Sequence, residues 1–168
     1  MTASIDLRIA SMIRAMQDVI APAVDPANSL AREQSMLMIG QLQMIAGQWR
    51  LALRYAAACL ADLRGMADGL EVEGGSATQD AWSELRGALE GVEADSEIQY
   101  QNAARALEKL VRASDEDASA AFRAQLRTDA LRFSQRQAER DRAWFAGSGF
   151  DMEADRLPSI SSILAAAE

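Results

Sequence analysis

Apolar side chains recur every three or four residues along most of this chain, which is the period of an α-helix. The first run predicts a helix over residues 4–21. Its apolar stripe comprises Ile5, Ile9, Met12, Met16 and Val19. Pro22 ends this helix because the residue before a proline is disfavoured in the helical region. A short connection leads to Asp25-Pro26, an N-cap followed by a proline at the first helical position, so the next helix should run antiparallel to the first.

The second predicted helix covers residues 26–68 and is the longest, about 60 Å at the usual helical rise. Its apolar positions form a broad arc, which is typical of a helix that is contacted on more than one side. Gly40 and Gly47 are its weak points. A break at either glycine is the alternative to one continuous helix.

Two further helices are predicted over residues 77–113 and 115–146. Gly74-Gly75 marks the loop before the third helix, Ser76 begins a capping-box pattern, and Ser114 is the expected N-cap of the fourth helix. Residues 134–142 of that last helix are polar on every side and have almost nothing to bury. The tail over residues 147–168 is long enough for a short amphipathic helix.

The sequence therefore predicts an all-α fold, an elongated antiparallel (up-and-down) four-helix bundle over residues 1–146 with a C-terminal extension and short fifth helix over 147–168. The first predicted helix is about half as long as the second, which would leave apolar surface in water. Either the tail from Leu157 folds back over that surface, or a second copy of the chain covers it in a symmetric dimer. We expect both to contribute.

Composition limits the chemistry that this chain can perform. A net charge of −8 argues against nucleic acid or an anionic membrane as a partner. The chain has no histidine, which removes the commonest general base and the commonest transition-metal ligand. Cys59 is the only cysteine, and its apolar helical setting indicates a buried, inert thiol. We therefore expect no cofactor and do not favour an enzyme.

The sequence has no recognisable signal peptide and no segment that is predicted to span a membrane. The first residues lack the basic and apolar regions of a signal peptide. The longest uncharged stretch, Gln34 to Trp49, is too short to span a bilayer. The expected location is the cytoplasm.

A group of three carboxylates on the predicted third helix has two interpretations. Glu90, Glu93 and Glu97 follow helical spacing and could bind a hard cation. Alternatively, they form a solvated flank that pairs with arginines of the fourth helix. Those arginines are Arg123, Arg127, Arg132, Arg136 and Arg140. The pairing is favoured, because a second helix with inward carboxylates is not evident.

Two residue groups are candidate binding sites. The first could hold an apolar or acyl ligand between the first two helices, although methionines at such spacing more often fill a core. It comprises Met12, Met16, Met38, Leu42, Ile45 and Trp49. The second could dock onto a protein partner, where aromatic residues are enriched. It comprises Trp144, Phe145, Phe150, Leu157 and Ile160.

Two functional hypotheses follow from these patterns. In the first, the chain is a non-catalytic protein–protein interaction or structural module, expected to be a homodimer, that binds through its late aromatic cluster and tail. In the second, the bundle binds an apolar or acyl small molecule between its first two helices. The first is favoured because the chain lacks catalytic chemistry and its predicted helices differ in length.

Overall fold

A computed structural model describes residues 4–91, 95–149 and 151–165. These residues are predominantly α-helical and form no β-strand, apart from one isolated bridge between Gly74 and Ala118. The prediction of an all-α fold is therefore confirmed. The predicted assignment of the chain to four long up-and-down helices is not.

Within the described residues there are seven α-helices, with the last turn at Ala21–Ala23 counted as part of the first, where the sequence pattern predicts four and a short fifth. They are α1 (Ile5–Ala15), α2 (Ser29–Gln48), α3 (Ala52–Asp68), α4 (Ser76–Glu90), α5 (Ser96–Asp117), α6 (Ala120–Trp144) and α7 (Ile160–Ala165). α1 continues through a π-helical turn, Met16–Ile20, into a last turn at Ala21–Ala23. It thus passes Pro22 instead of ending before it, because the wider π-helical turn accommodates the proline ring. Short 3₁₀ turns follow at Ala146–Ser148 and Ala154–Arg156.

The chain divides into two compact units. The described residues of Met1–Leu51 and Arg142–Leu157 form the first, and those of Ala52–Asp141 and Pro158–Glu168 form the second. The first unit contains α1 and α2, and the second is built from α3, α4, α5, α7 and most of α6. A domain boundary at residue 146 stays a sequence prediction.

The predicted second helix is interrupted after both of its suspected glycines. It passes through Gly40 and Gly47, ends at Gln48 and resumes at Ala52. The Trp49 indole nitrogen donates to Asp6 Oδ1 at 3.0 Å, and the Arg50 guanidinium, 4.6 Å from the Trp49 ring, pairs with the same carboxylate. Since Asp6 begins α1 and Trp49 follows α2, these contacts confirm that the two helices are antiparallel.

The predicted third helix is in fact two helices, α4 and α5. Asp95 begins α5 by accepting a hydrogen bond from the Glu97 amide at 2.8 Å. The buried Gln99 side chain then donates to the carbonyls of Ala88 and Leu89 at 3.2 and 3.0 Å, at the end of α4. A helix end leaves carbonyls without helical partners, and a buried amide from the next helix satisfies them. These hydrogen bonds stabilise the break between α4 and α5.

The predicted cap at Ser76 is wrong, because Ser76 is already the first residue of α4. The cap comes from Asp117, at the end of α5. Its carboxylate accepts from the backbone amides of Ala77 and Thr78 at 2.8 and 3.1 Å, and from the Thr78 hydroxyl at 2.6 Å. A carboxylate at a helix N-terminus is stabilised by the free amides and by the helix dipole. These bonds hold the pKa of Asp117 below its ordinary value, the Thr78 hydroxyl contributing most.

The predicted cap at Ser114 is wrong as well. Ser114 is buried within α5 and donates to the Val111 carbonyl at 2.7 Å. The fourth predicted helix therefore begins later, as α6, and Ser119 caps it by accepting from the Phe122 amide at 3.1 Å. Sequence favoured Ser114 because acidic residues follow it, but those residues close α5 instead.

The second unit contains the main hydrophobic core. α3, α4, α5 and α6 all supply buried side chains to it, including Leu63, Leu85, Leu110, Phe122 and Leu126. α4 and α5 are antiparallel, since Asp117 at the end of α5 bonds to Thr78 at the start of α4 and Gln99 near the start of α5 bonds to Leu89 at the end of α4. An ion pair between Arg86 and Asp68 joins α4 to α3. The tail helix α7 lies against α3 and buries Leu164.

Candidate interaction surface

The α1–α2 hairpin has a charge balance unlike that of the whole chain. Residues 4–51 hold four acidic side chains and four basic ones, so their net charge is zero, whereas the chain as a whole has −8. The acidic set is Asp6, Asp18, Asp25 and Glu33, and the basic set is Arg8, Arg14, Arg32 and Arg50. From Gln34 to Trp49, most of α2, the chain has no charged residue. Protein interfaces are depleted of charge in their centres, and this helix has that composition.

One side of this hairpin exposes two short rows of apolar side chains. Ile5 and Met12 lie two helical turns apart on α1, as do Met38 and Ile45 on α2. At about 100° per residue, each row is displaced in the same rotational sense from the buried isoleucine of its helix, Ile9 or Ile39. In antiparallel right-handed helices, displacements of the same sense fall on the same side of the plane that contains the two axes. We call the four residues of these rows the hairpin face. Their exposed fractions are between 46% and 53%.

Half exposure at these four positions has a simple geometric origin. Ile9 of α1 and Ile39 of α2 are buried, at 5% and 7% exposed, on the sides of these helices that face inward. The hairpin face lies beside the line along which α1 and α2 contact each other, so the two helices cover it only from one direction. Leu30 and Leu37 are exposed on α2 as well, about a quarter turn away from Met38 and Ile45. Exposed apolar side chains on a helix that has no charged residue from Gln34 to its end are typical of an interaction site.

The six residues predicted to hold an apolar ligand do not share one environment. Met12, Met38 and Ile45 belong to the exposed hairpin face. Met16, Leu42 and Trp49 are half-buried, and the Trp49 indole is engaged by Asp6. An open depression of about 260 Å³ on α2 is lined by other residues, among them Leu37, Met44 and Gly147. An apolar ligand remains a sequence prediction.

The late aromatic cluster is only partly available to a partner. Phe145 is half exposed, whereas Trp144 is half-buried and its carbonyl accepts from Gln48 Nε2 at 2.6 Å. Leu157 and Ile160 are half-buried too. Phe150 lies outside the described residues. Phe145 is therefore the member of this predicted set with the clearest access to solvent.

The prediction that residues 134–142 have almost nothing to bury is wrong. Gln137 Nε2 donates to Asp141 Oδ1 at 2.8 Å and to the Tyr55 hydroxyl of α3 at 3.2 Å, and that hydroxyl also bonds to Asp141. All three side chains are half-buried. The stretch thus packs against α3 through hydrogen bonds.

Arg140 continues this network into the protein. It is 7% exposed, donates to Gln137 Oε1 at 2.7 Å, and lies 3.4 Å from Asp62 Oδ2 of α3. Arg136 pairs with the other oxygen of Asp62 at 2.8 Å. The Nε atom of Arg140 is buried and has no hydrogen-bond partner. A sequence signal for this network exists in the spacing of Tyr55, Cys59 and Asp62, which places them on one side of α3.

The network keeps its titratable hydroxyl and thiol protonated at neutral pH. Burial, followed by the bond to Asp141, raises the pKa of Tyr55. Cys59 is fully buried, as predicted, and burial raises the pKa of its thiol despite the nearby Gln137 and Arg140 donors. A protonated, inaccessible thiol is a poor nucleophile. The network therefore ties α3 to α6 and offers no reactive group.

The three carboxylates considered for a metal do not lie on one helix. Glu90 is the last residue of α4 and pairs with Arg86, whereas Glu97 lies on α5 and accepts from Gln101. Glu93 lies outside the described residues. In the described ranges, no group of three cysteine, aspartate or glutamate side chains is arranged to hold a metal ion.

The arginines of α6 pair with acidic residues other than the predicted ones. Asp115 of α5 pairs with Arg127, and Asp62 of α3 pairs with Arg136 and Arg140. Opposite charges on antiparallel helices thus meet as expected, although the contributing acidic residues differ from those predicted.

Across the part of the chain that the structure describes, no helix combines the length and the hydrophobicity needed to cross a bilayer. Comparison with protein-family models, with curated proteins and with solved structures finds no match to this chain.

Proposed function

We propose that this chain is a non-catalytic protein–protein interaction module that forms a homodimer through its hairpin face. The observation that supports this proposal is the pairing of Ile5 and Met12 with Met38 and Ile45 on one exposed side of a hairpin. Because these side chains are exposed, α1 and α2 are packed on one side and lie open to solvent on the other. A second helical pair, placed against them, would complete a four-helix arrangement.

Charge favours a second copy as the occupant of this surface. In a twofold dimer, the same patch of each protomer meets itself, so any net charge on the patch repels its own copy. The chain as a whole is strongly acidic, but residues 4–51 are neutral and most of α2 is uncharged. Like-charge repulsion between two copies is therefore weaker at the hairpin than over the rest of this acidic chain, and Arg8 is the charged residue that lies beside the rows of the hairpin face.

The hairpin face also suits this role better than the late aromatic cluster. Most of the described members of that cluster are half-buried, and Phe145 is the exposed one among them. The hairpin face has four apolar side chains with about half of their surface in water. Burial of this surface is the main source of free energy for association.

The test is the oligomeric state of the full-length chain and of two glutamate variants. Ile45→Glu places a charge in the hairpin face, and Leu53→Glu places the same charge at another exposed leucine, which lies on α3 outside that face. We expect size-exclusion chromatography with light scattering to give twice 18.2 kDa for the wild type and for Leu53→Glu. We expect 18.2 kDa for Ile45→Glu. A dimer that persists in Ile45→Glu would refute this choice of interface.

A further inference from the structure

The hairpin face contains two of the eight methionines of the chain, and this composition has a chemical consequence. Met12 and Met38 are 47% and 53% exposed in the single chain, whereas Met66 in the core of the second unit is 8% exposed. A thioether is apolar and adapts to an irregular partner surface, but oxidation converts it into a polar sulfoxide. Half of the hairpin face can therefore change polarity without any change in sequence.

Resting on the dimer proposed above, we infer that oxidation of Met12 and Met38 by a peroxide turns this interface off. The sulfur attacks one oxygen of hydrogen peroxide, a sulfur–oxygen bond forms and the oxygen–oxygen bond breaks. Sulfur gives up two electrons, and the second oxygen leaves as water after a proton transfer. Each methionine consumes one peroxide and becomes one sulfoxide.

The effect follows from what the sulfoxides would meet in the dimer. Ile5 and Ile45, which complete the hairpin face, have no side-chain donor for a sulfoxide oxygen, and the donors that lie beside them in these rows, Arg8 and Gln41, are exposed to water in the single chain. Burial takes each sulfoxide, and any such donor that bonds to it, out of water, and this opposes association. Each dimer would contain four sulfoxides, two from each protomer, so the dissociation constant should rise at least about tenfold.

The dissociated protomer is the form that reacts. Its Met12 and Met38 side chains are 47% and 53% exposed, whereas dimerisation would cover them. Oxidation therefore traps the monomer instead of attacking the dimer. A methionine sulfoxide reductase reverses the step, because the sulfoxide oxygen leaves as water while two thiols become a disulfide.

The experiment compares three full-length proteins before and after treatment with hydrogen peroxide. The test variant is Met12→Leu/Met38→Leu, which keeps the face apolar and removes its sulfurs. The matched control is Met36→Leu/Met152→Leu, since Met36 is 64% exposed but lies on another side of α2 and Met152 is fully exposed in the 142–157 segment. The readouts are the dimer dissociation constant from sedimentation and the sulfoxide content from peptide mapping.

We expect peroxide to weaken the wild-type and control dimers at least about tenfold, to leave the test variant unchanged, and to be reversed by the reductase. A wild-type dimer that persists with sulfoxides at Met12 and Met38 would overturn this inference and leave the proposed function standing. The same holds if dilute wild type is oxidised at Met36 and Met152 but not at Met12 and Met38. An untreated wild type that is monomeric would overturn both proposals.

Discussion

Replacing the buried Arg140 by methionine should cost little stability, although it removes a charge from a buried ion pair. Arg140 donates one short hydrogen bond, to Gln137 at 2.7 Å, and its contact with Asp62 is long at 3.4 Å. Loss of a bond that involves a charged group costs about 1.5–3 kcal/mol. Against this, methionine removes the buried Nε atom that lacks a partner, which is worth about 1–3 kcal/mol. Methionine also avoids the cost of taking the guanidinium out of water.

These opposing contributions nearly cancel, so we expect Arg140→Met to change the free energy of unfolding by no more than about 1 kcal/mol. Removing the partner should have a different result. In Asp62→Ala, the buried guanidinium of Arg140 loses its counter-ion, and such a loss costs about 3–5 kcal/mol. In Arg140→Met, by contrast, the Asp62 carboxylate keeps a counter-ion, because Arg136 still pairs with it at 2.8 Å.

The assay is equilibrium unfolding in urea, with the free energy extrapolated to water and the slope compared between variants. Arg136→Met is the matched control, since this half-exposed arginine pairs with the same carboxylate and should contribute at most about 1 kcal/mol. If Arg140→Met destabilises the protein as much as Asp62→Ala does, the charge balance inferred for this network is wrong.

Three further predictions concern other parts of the second unit. Asp117→Asn should lower the urea midpoint at pH 7. The folded pKa of Asp117 is below its ordinary value of 3.8, so the stability that the carboxylate contributes is present above pH 3.8 and fades as the pH falls through the folded pKa. A difference in urea midpoint between wild type and variant that stays constant from pH 7 to pH 3 would contradict the capping role. Gly65→Ala, whose new Cβ meets nothing within 4 Å inside α3, should raise stability by up to about 1 kcal/mol, whereas Gly75→Ala places its Cβ 2.5 Å from Asp117 Oδ2 and should lower the melting temperature. Cys59 should react with a thiol reagent only at the rate of unfolding, because it is fully buried, and stoichiometric labelling of the native protein within minutes would contradict this.

Hydrophobic periodicity was sufficient to predict that the fold is all-α and roughly where the helices lie. It failed at the helix ends, because distant residues decide them. Asp117 caps a helix that begins about forty residues earlier, and Gln99 satisfies carbonyls that α4 leaves open. At the break after Gln48, Asp6 binds Trp49 and Arg50 from the start of α1. No local pattern encodes such contacts.

The candidate surface shows the same limit. Spacing placed Met12, Met38 and Ile45 in one predicted group with Met16, Leu42 and Trp49, but it could not distinguish an enclosed site from an exposed face. That distinction depends on which other elements cover the face. For the same reason, Arg140 lies in a stretch that is polar on every side and is nevertheless buried, because the polar residues of α3 meet it there.

The most direct test of the central claim is native mass spectrometry of the full-length wild-type chain, purified without denaturants. We predict a dimer of twice 18.2 kDa with no additional mass. A monomer at every concentration would contradict the proposed interface. A protein that carries bound excess mass would instead favour the apolar-ligand alternative, and the size of that mass would begin to identify the ligand.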